Sequence, residues 1–127
     1  MKKIKNRQDI GLLVNEFYIK IRSDTVLGPI FNAHIPKDAW PKHLEKLTDF
    51  WESHLLKGSK FEGNPTLKHI VVDHNMNHSL DEKHFDYWLQ LWFSTIDTHF
   101  DGTVALLAKE AATRMAKAQF MAVIRHR

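Results

Sequence analysis

Four side chains have the residue types and settings with which a chemical site could be built: Tyr18, His43, His69 and Trp88. Each also has a structural explanation. Tyr18 and Trp88 fall on apolar helix faces, where aromatic residues commonly pack in a core and their polar atom finds a hydrogen-bond partner. His43 lies on an otherwise apolar face, and His69 has apolar neighbours. Taken singly, none of the four predicts a site.

Taken together, the four residues supply the groups that a haem pocket requires. Haem iron takes one neutral imidazole on one face. On the other face, bound oxygen becomes partly anionic, and it is stabilised by donors such as a tyrosine hydroxyl, an indole N–H or an imidazole N–H. The chain of 127 residues contains nine histidines and four tryptophans, residue types that serve such a pocket but also occur in ordinary cores and surfaces.

The amino-acid composition excludes several classes of protein. The chain has no cysteine, which excludes disulfides, thiolate metal sites, iron–sulfur clusters and the CxxCH motif, so any haem is expected to be non-covalent. Apolar residues make up 43% and charged residues 26%, as expected for one globular domain over residues 1–127. No signal peptide or membrane span is recognised, and we expect a cytoplasmic protein without a membrane partner.

Positive charge gathers at the two ends of the chain, although the formal net charge is only +3. The basic residues concerned are Lys2, Lys3, Lys5, Arg7, Arg125 and Arg127. We expect solvated tails there and no nucleic-acid binding, and a cofactor-free helical module for nucleic acid or a protein partner is disfavoured.

Hydrophobic periodicity predicts an all-α fold. Long helices are expected at about residues 9–22, 40–56, 79–100 and 103–124, with a short one at about 65–72. Asp9 is the predicted N-cap of the first helix, and Ser79 with Glu82 has the spacing of a capping box. Residues 24–31 are predicted to be rich in turns, 57–65 to form a loop, and 73–78 to be polar and irregular.

Four groups of short motifs, in this order and spacing, carry a resemblance to a known family. They are Phe17-Tyr18 followed by Leu27 to Phe31, Trp40 to His43 followed by Phe50-Trp51, Phe61 to Pro65 leading to Lys68-His69, and His84 to Phe93. With these motifs the chain resembles the group III truncated haemoglobins from about Asn15 to its end. The glycine pairs typical of other truncated globin groups are missing, in line with that resemblance.

The resemblance implies a truncated globin-like, two-on-two helical fold with non-covalent haem b. It implies that His69 is the proximal iron ligand, and that Tyr18, His43 and Trp88 lie on the distal side, with His43 either a donor or a gate. We expect apolar contacts to the haem ring from a further set: Phe31, Leu44, Leu47, Trp51, Leu55, Phe61 and Trp92.

One departure from the family concerns the iron ligand. The distance from His69 to Trp88 is several residues longer than is usual in the family, so residues 73–78 would be an insertion. His74 fits the shorter spacing and is the rival ligand. We prefer His69 because its register follows from the preceding helix and from the stretch Gly63 to Pro65, and because loops tolerate insertions.

The other histidines have plainer interpretations. Asp73, His74 and His78 could bind zinc if the segment were helical, but its polar composition favours a solvated loop. The remaining histidines are interpreted as surface or structural residues: His34, His54, His84, His99 and His126.

Two functions follow from the resemblance. The first is reversible binding of oxygen or another small diatomic ligand at ferrous haem. The alternative is an enzyme that oxidises nitric oxide with bound oxygen, or that turns over peroxide with His43 as acid–base catalyst while Tyr18 and Trp88 polarise the O–O bond. No flavin-binding segment is recognised, so any electron donor would be a separate reductase.

Overall fold

The structure is a computed structural model that describes residues 1–57 and 65–127. The described residues form six α-helices and two very short strands, and the predicted all-α class is confirmed. In chain order the elements are β1 Lys2–Lys3, α1 Arg7–Ser23, α2 Leu27–His34, a 3₁₀ turn Lys37–Ala39, α3 Trp40–Leu55, α4 Pro65–Asn75, α5 Glu82–His99, β2 Phe100–Asp101 and α6 Thr103–Arg125. None of the helices in the described ranges could span a membrane.

Helix α1 lies at the centre of the packing. Five of its apolar side chains have 0% exposure and fall at helical spacing along one face: Ile10, Leu13, Val14, Phe17 and Ile21. This face packs against α2, α3 and α5, while α5 and α4 pack against α6. A stripe of this width is what a helix shows when neighbours surround its apolar side.

The start of α1 differs from the prediction, because Asn6 and not Asp9 is the N-cap. The Asn6 side chain accepts a hydrogen bond from the Asp9 N–H at 3.0 Å. Asp9 is buried in the first turn, where its carboxylate accepts from the Lys5 N–H at 2.9 Å and pairs with the Lys2 ammonium at 2.7 Å. Asp9 is thus an anchor for the residues that precede the helix.

The basic residues at the ends of the chain are largely exposed, as expected, but four of them also form ion pairs: Lys2, Lys3, Arg7 and Arg127. Strand β1 pairs in parallel with β2, and the Lys3 ammonium lies 2.9 Å from the Asp101 carboxylate. Arg7 pairs with Asp49 at 2.7 Å, which ties the start of α1 to α3. The tails are held because acidic partners distant in sequence meet them in the fold.

The stretch predicted to be rich in turns contains a helix, α2. The Asp24 carboxylate accepts from the N–H groups of Val26 and Leu27 at 2.9 and 2.8 Å, which satisfies donors at the helix start. A Cβ on Gly28 would lie 2.7 Å from the Arg22 carbonyl oxygen, so only glycine permits this approach of α2 to α1. Gly28-Pro29 therefore marks a helix start, where proline is well tolerated.

Helices α3 and α6 match their predicted bounds to within one residue, whereas α4 and the start of α5 do not. Helix α4 extends to Asn75, three residues beyond its predicted end. The capping box of α5 is formed by Asp81 and His84, not by Ser79 and Glu82. The Asp81 N–H donates to Nδ1 of His84 at 3.0 Å, so His84 has the structural role expected of it.

Asp73 is buried in α4, so the predicted solvated loop is wrong at this residue. Its carboxylate accepts from the Leu80 N–H at 3.0 Å and from the Arg127 guanidinium at 3.1 and 3.2 Å. The chain then reverses through Asn77 and His78, which have left-handed φ values of 56° and 61°. No cluster able to hold a metal ion is found among the described residues, and the zinc alternative gains no support.

Burial acts to raise the pKa of Asp73, but the hydrogen bonds from Arg127 and Leu80 outweigh it and hold the pKa below its ordinary value. A carboxyl with a lowered folded-state pKa stabilises the fold above its unfolded pKa of about 3.9, and this contribution is lost on acidification.

We therefore predict that Asp73→Asn lowers the free energy of unfolding by about 1–3 kcal/mol near neutral pH. The variant should also lose less stability than the parent when urea unfolding is repeated at about pH 3. Asp86→Asn, at an exposed position of α5, is the control and should behave like the parent. Equal effects of the two substitutions would contradict the assignment.

Candidate functional site

Tyr18 lies at the junction of α1, α2 and α3. Its ring is buried and lies 5.9 Å from the Phe31 ring, 5.8 Å from Trp40 and 6.1 Å from His43, measured between ring centroids. Tyr18 takes this position because it directly follows Phe17, whose side chain fills the core. The next residue on a helix is turned by about 100°, so the phenol leaves the centre of the core and reaches α2 and α3.

The Tyr18 hydroxyl is kept neutral. Burial raises its pKa, and hydrogen bonding from the Trp88 side chain opposes that rise in part. An indole N–H can only donate, so the effect of Trp88 on Tyr18 is that of a donor near the phenol oxygen, while the neutral phenol keeps its own proton. Tyr18 and Trp88 therefore form a polar pair within an apolar surrounding.

His43 joins this pair from the first turns of α3. Its ring lies 5.4 Å from the Trp40 ring, on which it is placed edge-on. Burial lowers the pKa of His43 to about 4, and the positive charges of Lys68 and Lys46 contribute. The imidazole is therefore neutral near pH 7 and can offer both an N–H donor and a nitrogen lone pair.

His69 lies on α4, apart from the other three residues, and its ring packs near Phe85 at 5.6 Å between centroids. Its Nδ1 lies 2.6 Å from the Pro65 carbonyl oxygen, one turn earlier in the helix. Since a carbonyl only accepts, Nδ1 carries the proton, and the lone pair of Nε2 is left available. Burial lowers the pKa of His69, against an opposing effect of this hydrogen bond.

This arrangement is the one that a metal-binding histidine commonly has. A second ring nitrogen that donates to a backbone carbonyl fixes both the tautomer and the ring orientation. The rival residue, His74, is exposed and packs against His78 with 5.4 Å between ring centroids. The residues present therefore fit a haem with His69 as ligand better than with His74.

The predicted apolar contacts divide into two sets by burial. Trp51 and Trp92 are buried and stacked, with 4.6 Å between ring centroids. The partly buried ones pack against the same core and are Phe31, Leu44, Leu47 and Leu55. Phe61 lies outside the described residues. Contact of these side chains with a haem ring stays a prediction.

Sequence analysis missed the part that Trp40 plays in the site. Trp40 is buried between Tyr18 and His43, and the Arg22 guanidinium lies 4.5 Å from its ring centroid. The sequence did carry a signal for this role: Trp40 precedes His43 by three residues on one helix, so the two side chains share a helix face. Trp40 positions both polar side chains through ring contacts.

Fold and site together describe a helical protein with a half-buried neutral imidazole on one helix and a neutral polar aromatic cluster on three others. Comparison with known proteins identifies the family to which this helical protein belongs. No protein-family model matches the chain. The curated group 3 truncated hemoglobin ctb of Campylobacter jejuni is 32% identical over 94 residues, which are 72% of this chain and 70% of that protein.

A solved structure extends this relation over the whole fold. The crystal structure of a group III truncated hemoglobin from Campylobacter jejuni matches with a TM-score of 0.85 and 27% identity, over 97% of this chain and 95% of that chain. The chain belongs to the group 3 truncated haemoglobins. The two-on-two fold that the resemblance implied is thereby confirmed.

The electrostatics of His43 give a prediction. Lys46→Gln removes a positive charge that disfavours the imidazolium, so the pKa of His43 should rise from about 4 while burial keeps it below 6.5. The measurement is the pH dependence of the His43 side-chain NMR signals. Lys42→Gln, an exposed lysine on the same helix, is the control and should leave the His43 pKa in place. Equal shifts in both variants would point to net charge and contradict a local effect of Lys46.

Proposed function

We propose that this protein binds haem b non-covalently, with Nε2 of His69 as the iron ligand. The observation that carries the proposal is the half-buried His69 ring, packed near Phe85, whose Nδ1 lies 2.6 Å from the Pro65 carbonyl oxygen, which leaves Nε2 unprotonated in a neutral ring. Membership of the truncated haemoglobin family supports the choice of haem among the groups that an imidazole can bind.

We further propose that Tyr18, Trp88 and His43 bind a diatomic ligand on the distal side. Ferrous haem supplies the coordination position for oxygen or a similar ligand. The chain supplies hydrogen-bond donors that are neutral and already desolvated, so they need not give up water when the ligand arrives. The edge-on contacts of Phe17 with Tyr18 and Trp88, and of Trp40 with His43, hold these donors in place.

A second candidate function is peroxide turnover, and the state of His43 favours it. A neutral imidazole beside the distal donors can accept a proton from hydrogen peroxide and return it to the leaving oxygen. Oxygen binding requires ferrous iron, so haem that has oxidised to the ferric state must be reduced again, and for this step we propose a separate reductase as electron donor. Rapid peroxide consumption would favour the second function, and slow oxygen release with little consumption the first.

The iron ligand can be tested by haem uptake. We predict that His69→Gly loses stable haem binding or yields an altered visible spectrum, because the variant lacks the imidazole that we propose as the iron ligand. Free imidazole added to His69→Gly should restore the parent spectrum. His74→Ala is the matched control and should take up haemin as the parent does. The reverse pattern in the two variants would assign the iron to His74, and a parent protein that takes up no haemin would refute haem binding.

The distal donors can be tested by oxygen release. A hydrogen bond to a partly charged acceptor contributes about 1.5–3 kcal/mol, and about 1.4 kcal/mol is a factor of ten. Tyr18→Phe and Trp88→Phe should therefore each raise the oxygen dissociation rate by roughly one to two powers of ten, measured by stopped-flow replacement with carbon monoxide. Tyr87→Phe, an exposed tyrosine of α5, is the control. Unchanged rates in both distal variants would contradict a polar distal pocket.

A further inference from the structure

Three of the four tryptophans form one continuous stack that begins at the distal cluster. The rings of Trp88 and Trp92, one turn apart on α5, lie 6.0 Å apart with 10° between their planes. The rings of Trp92 and Trp51, on α5 and α3, lie 4.6 Å apart with 24° between their planes. Trp88 contacts Phe17, which in turn contacts Tyr18, so the indoles run from this part of α1 to the later part of α3.

The other end of the stack comes close to the surface. The Trp51 ring lies 6.5 Å from the ring of His54, which is exposed, and 5.4 Å from the ring of Phe50. Phe50 and His54 are themselves in ring contact at 4.3 Å. The stack therefore connects the distal side of the proposed haem site with a patch of surface beside His54, near the end of α3.

Stacked indoles can carry electrons as well as fill space. Indole is among the side chains most readily oxidised by one electron, whereas a phenylalanine ring is not oxidised under biological conditions. Electron transfer slows steeply with distance, so rings in contact exchange an electron far faster than rings separated by a layer of side chains. Phe17, which lies edge-on to Trp88 and Trp92, adds packing but no alternative relay.

The setting of Trp92 suits a relay. It is fully buried, and its indole N–H donates to the Ala108 carbonyl oxygen at 3.1 Å. An amide carbonyl does not take up the proton of an oxidised indole, and water does not reach it. The positive charge therefore stays on the ring and can be passed on. Tyr18, by contrast, must release its proton when it loses an electron, and its burial disfavours the separated charge.

We propose that Trp88, Trp92 and Trp51 conduct oxidising equivalents from the iron site to the surface beside His54, where small phenols are oxidised at the expense of hydrogen peroxide. The proposal rests on the haem binding proposed above. It adds to that function a substrate class and a second place of reaction, at the surface beside His54.

Hydrogen peroxide takes up two electrons and two protons as its O–O bond breaks, and two water molecules form. Those two electrons are supplied one at a time through Trp88 and Trp92 from Trp51, which is left oxidised after each transfer. Two phenol molecules then each give one electron to oxidised Trp51 and one proton to solvent, and two phenoxyl radicals result.

The first experiment needs no added phenol. Haem-loaded ferric protein is mixed with hydrogen peroxide, and tryptophan oxidation is mapped by tandem mass spectrometry. Trp51 should gain oxygen. Trp40 is the internal control, because it lies outside the stack but has nearly the same exposed fraction, 2% against 3% for Trp51, and it should not gain oxygen. Freeze-quenched samples should show a tryptophanyl radical by electron paramagnetic resonance. Peroxide consumption with equal modification of Trp40 and Trp51, or with a radical on Tyr18 alone, would overturn the proposal.

The order of the relay is tested with variants that are compared with the parent at equal haem content. Trp92→Phe should lose the modification of Trp51 and the oxidation of phenols, while Trp51→Phe should keep the radical on α5 and lose phenol oxidation. Tyr87→Phe, whose exposed ring is the alternative exit beside Trp88, should oxidise phenols like the parent. If Trp92→Phe does not fold, the relay is tested by phenol oxidation in Trp51→Phe alone. Undiminished phenol oxidation in the folded stack variants overturns the relay but leaves haem binding intact, whereas a parent protein without haem uptake refutes both.

Discussion

Phe17 lies where α1 packs against α5, and the positions of the other aromatic residues depend on it. Its buried ring is edge-on to Tyr18 at 4.8 Å, to Trp88 at 5.4 Å and to Trp92 at 4.9 Å. Edge-to-face pairs add about 0.5–1.5 kcal/mol each to the free energy of burying the ring. Because one side chain fixes three others, the distal cluster and the tryptophan stack share a common support.

Neutral groups occupy the site, and charged groups hold the ends of the chain. Burial favours the uncharged forms of Tyr18, His43 and His69, as haem ligation and the binding of uncharged diatomic ligands require. The buried carboxylates behave in the opposite way, since hydrogen bonds keep Asp9 and Asp73 ionised. Asp73 in addition ties the helix that carries His69 to Leu80 and Arg127, which stabilises the end of that helix.

The site is divided between helices that are stabilised by different contacts. Tyr18 and Trp88 lie on α1 and α5, whose facing side chains form the main core. His69 lies on α4, which packs against α6 and a smaller apolar cluster that includes Leu80 and Phe85. The two sides of the proposed haem site can therefore be perturbed separately, and a substitution near Asp73 should affect His69 before it affects the distal donors.

The sequence by itself determined the all-α class and the bounds of α3 and α6, and it marked Tyr18, His43 and Trp88 as candidates, because periodicity and short motifs are local properties. It misjudged α2, the end of α4 and the cap of α5, because Gly28, Asp73 and His84 take their roles from partners that local patterns do not reveal. Only the tertiary structure decided that Asp73 is buried against Arg127, that Trp40 packs between Tyr18 and His43, and that Trp51 stacks on Trp92. These contacts join residues on different helices, and their geometry follows from how the helices pack and not from the spacing along any one of them.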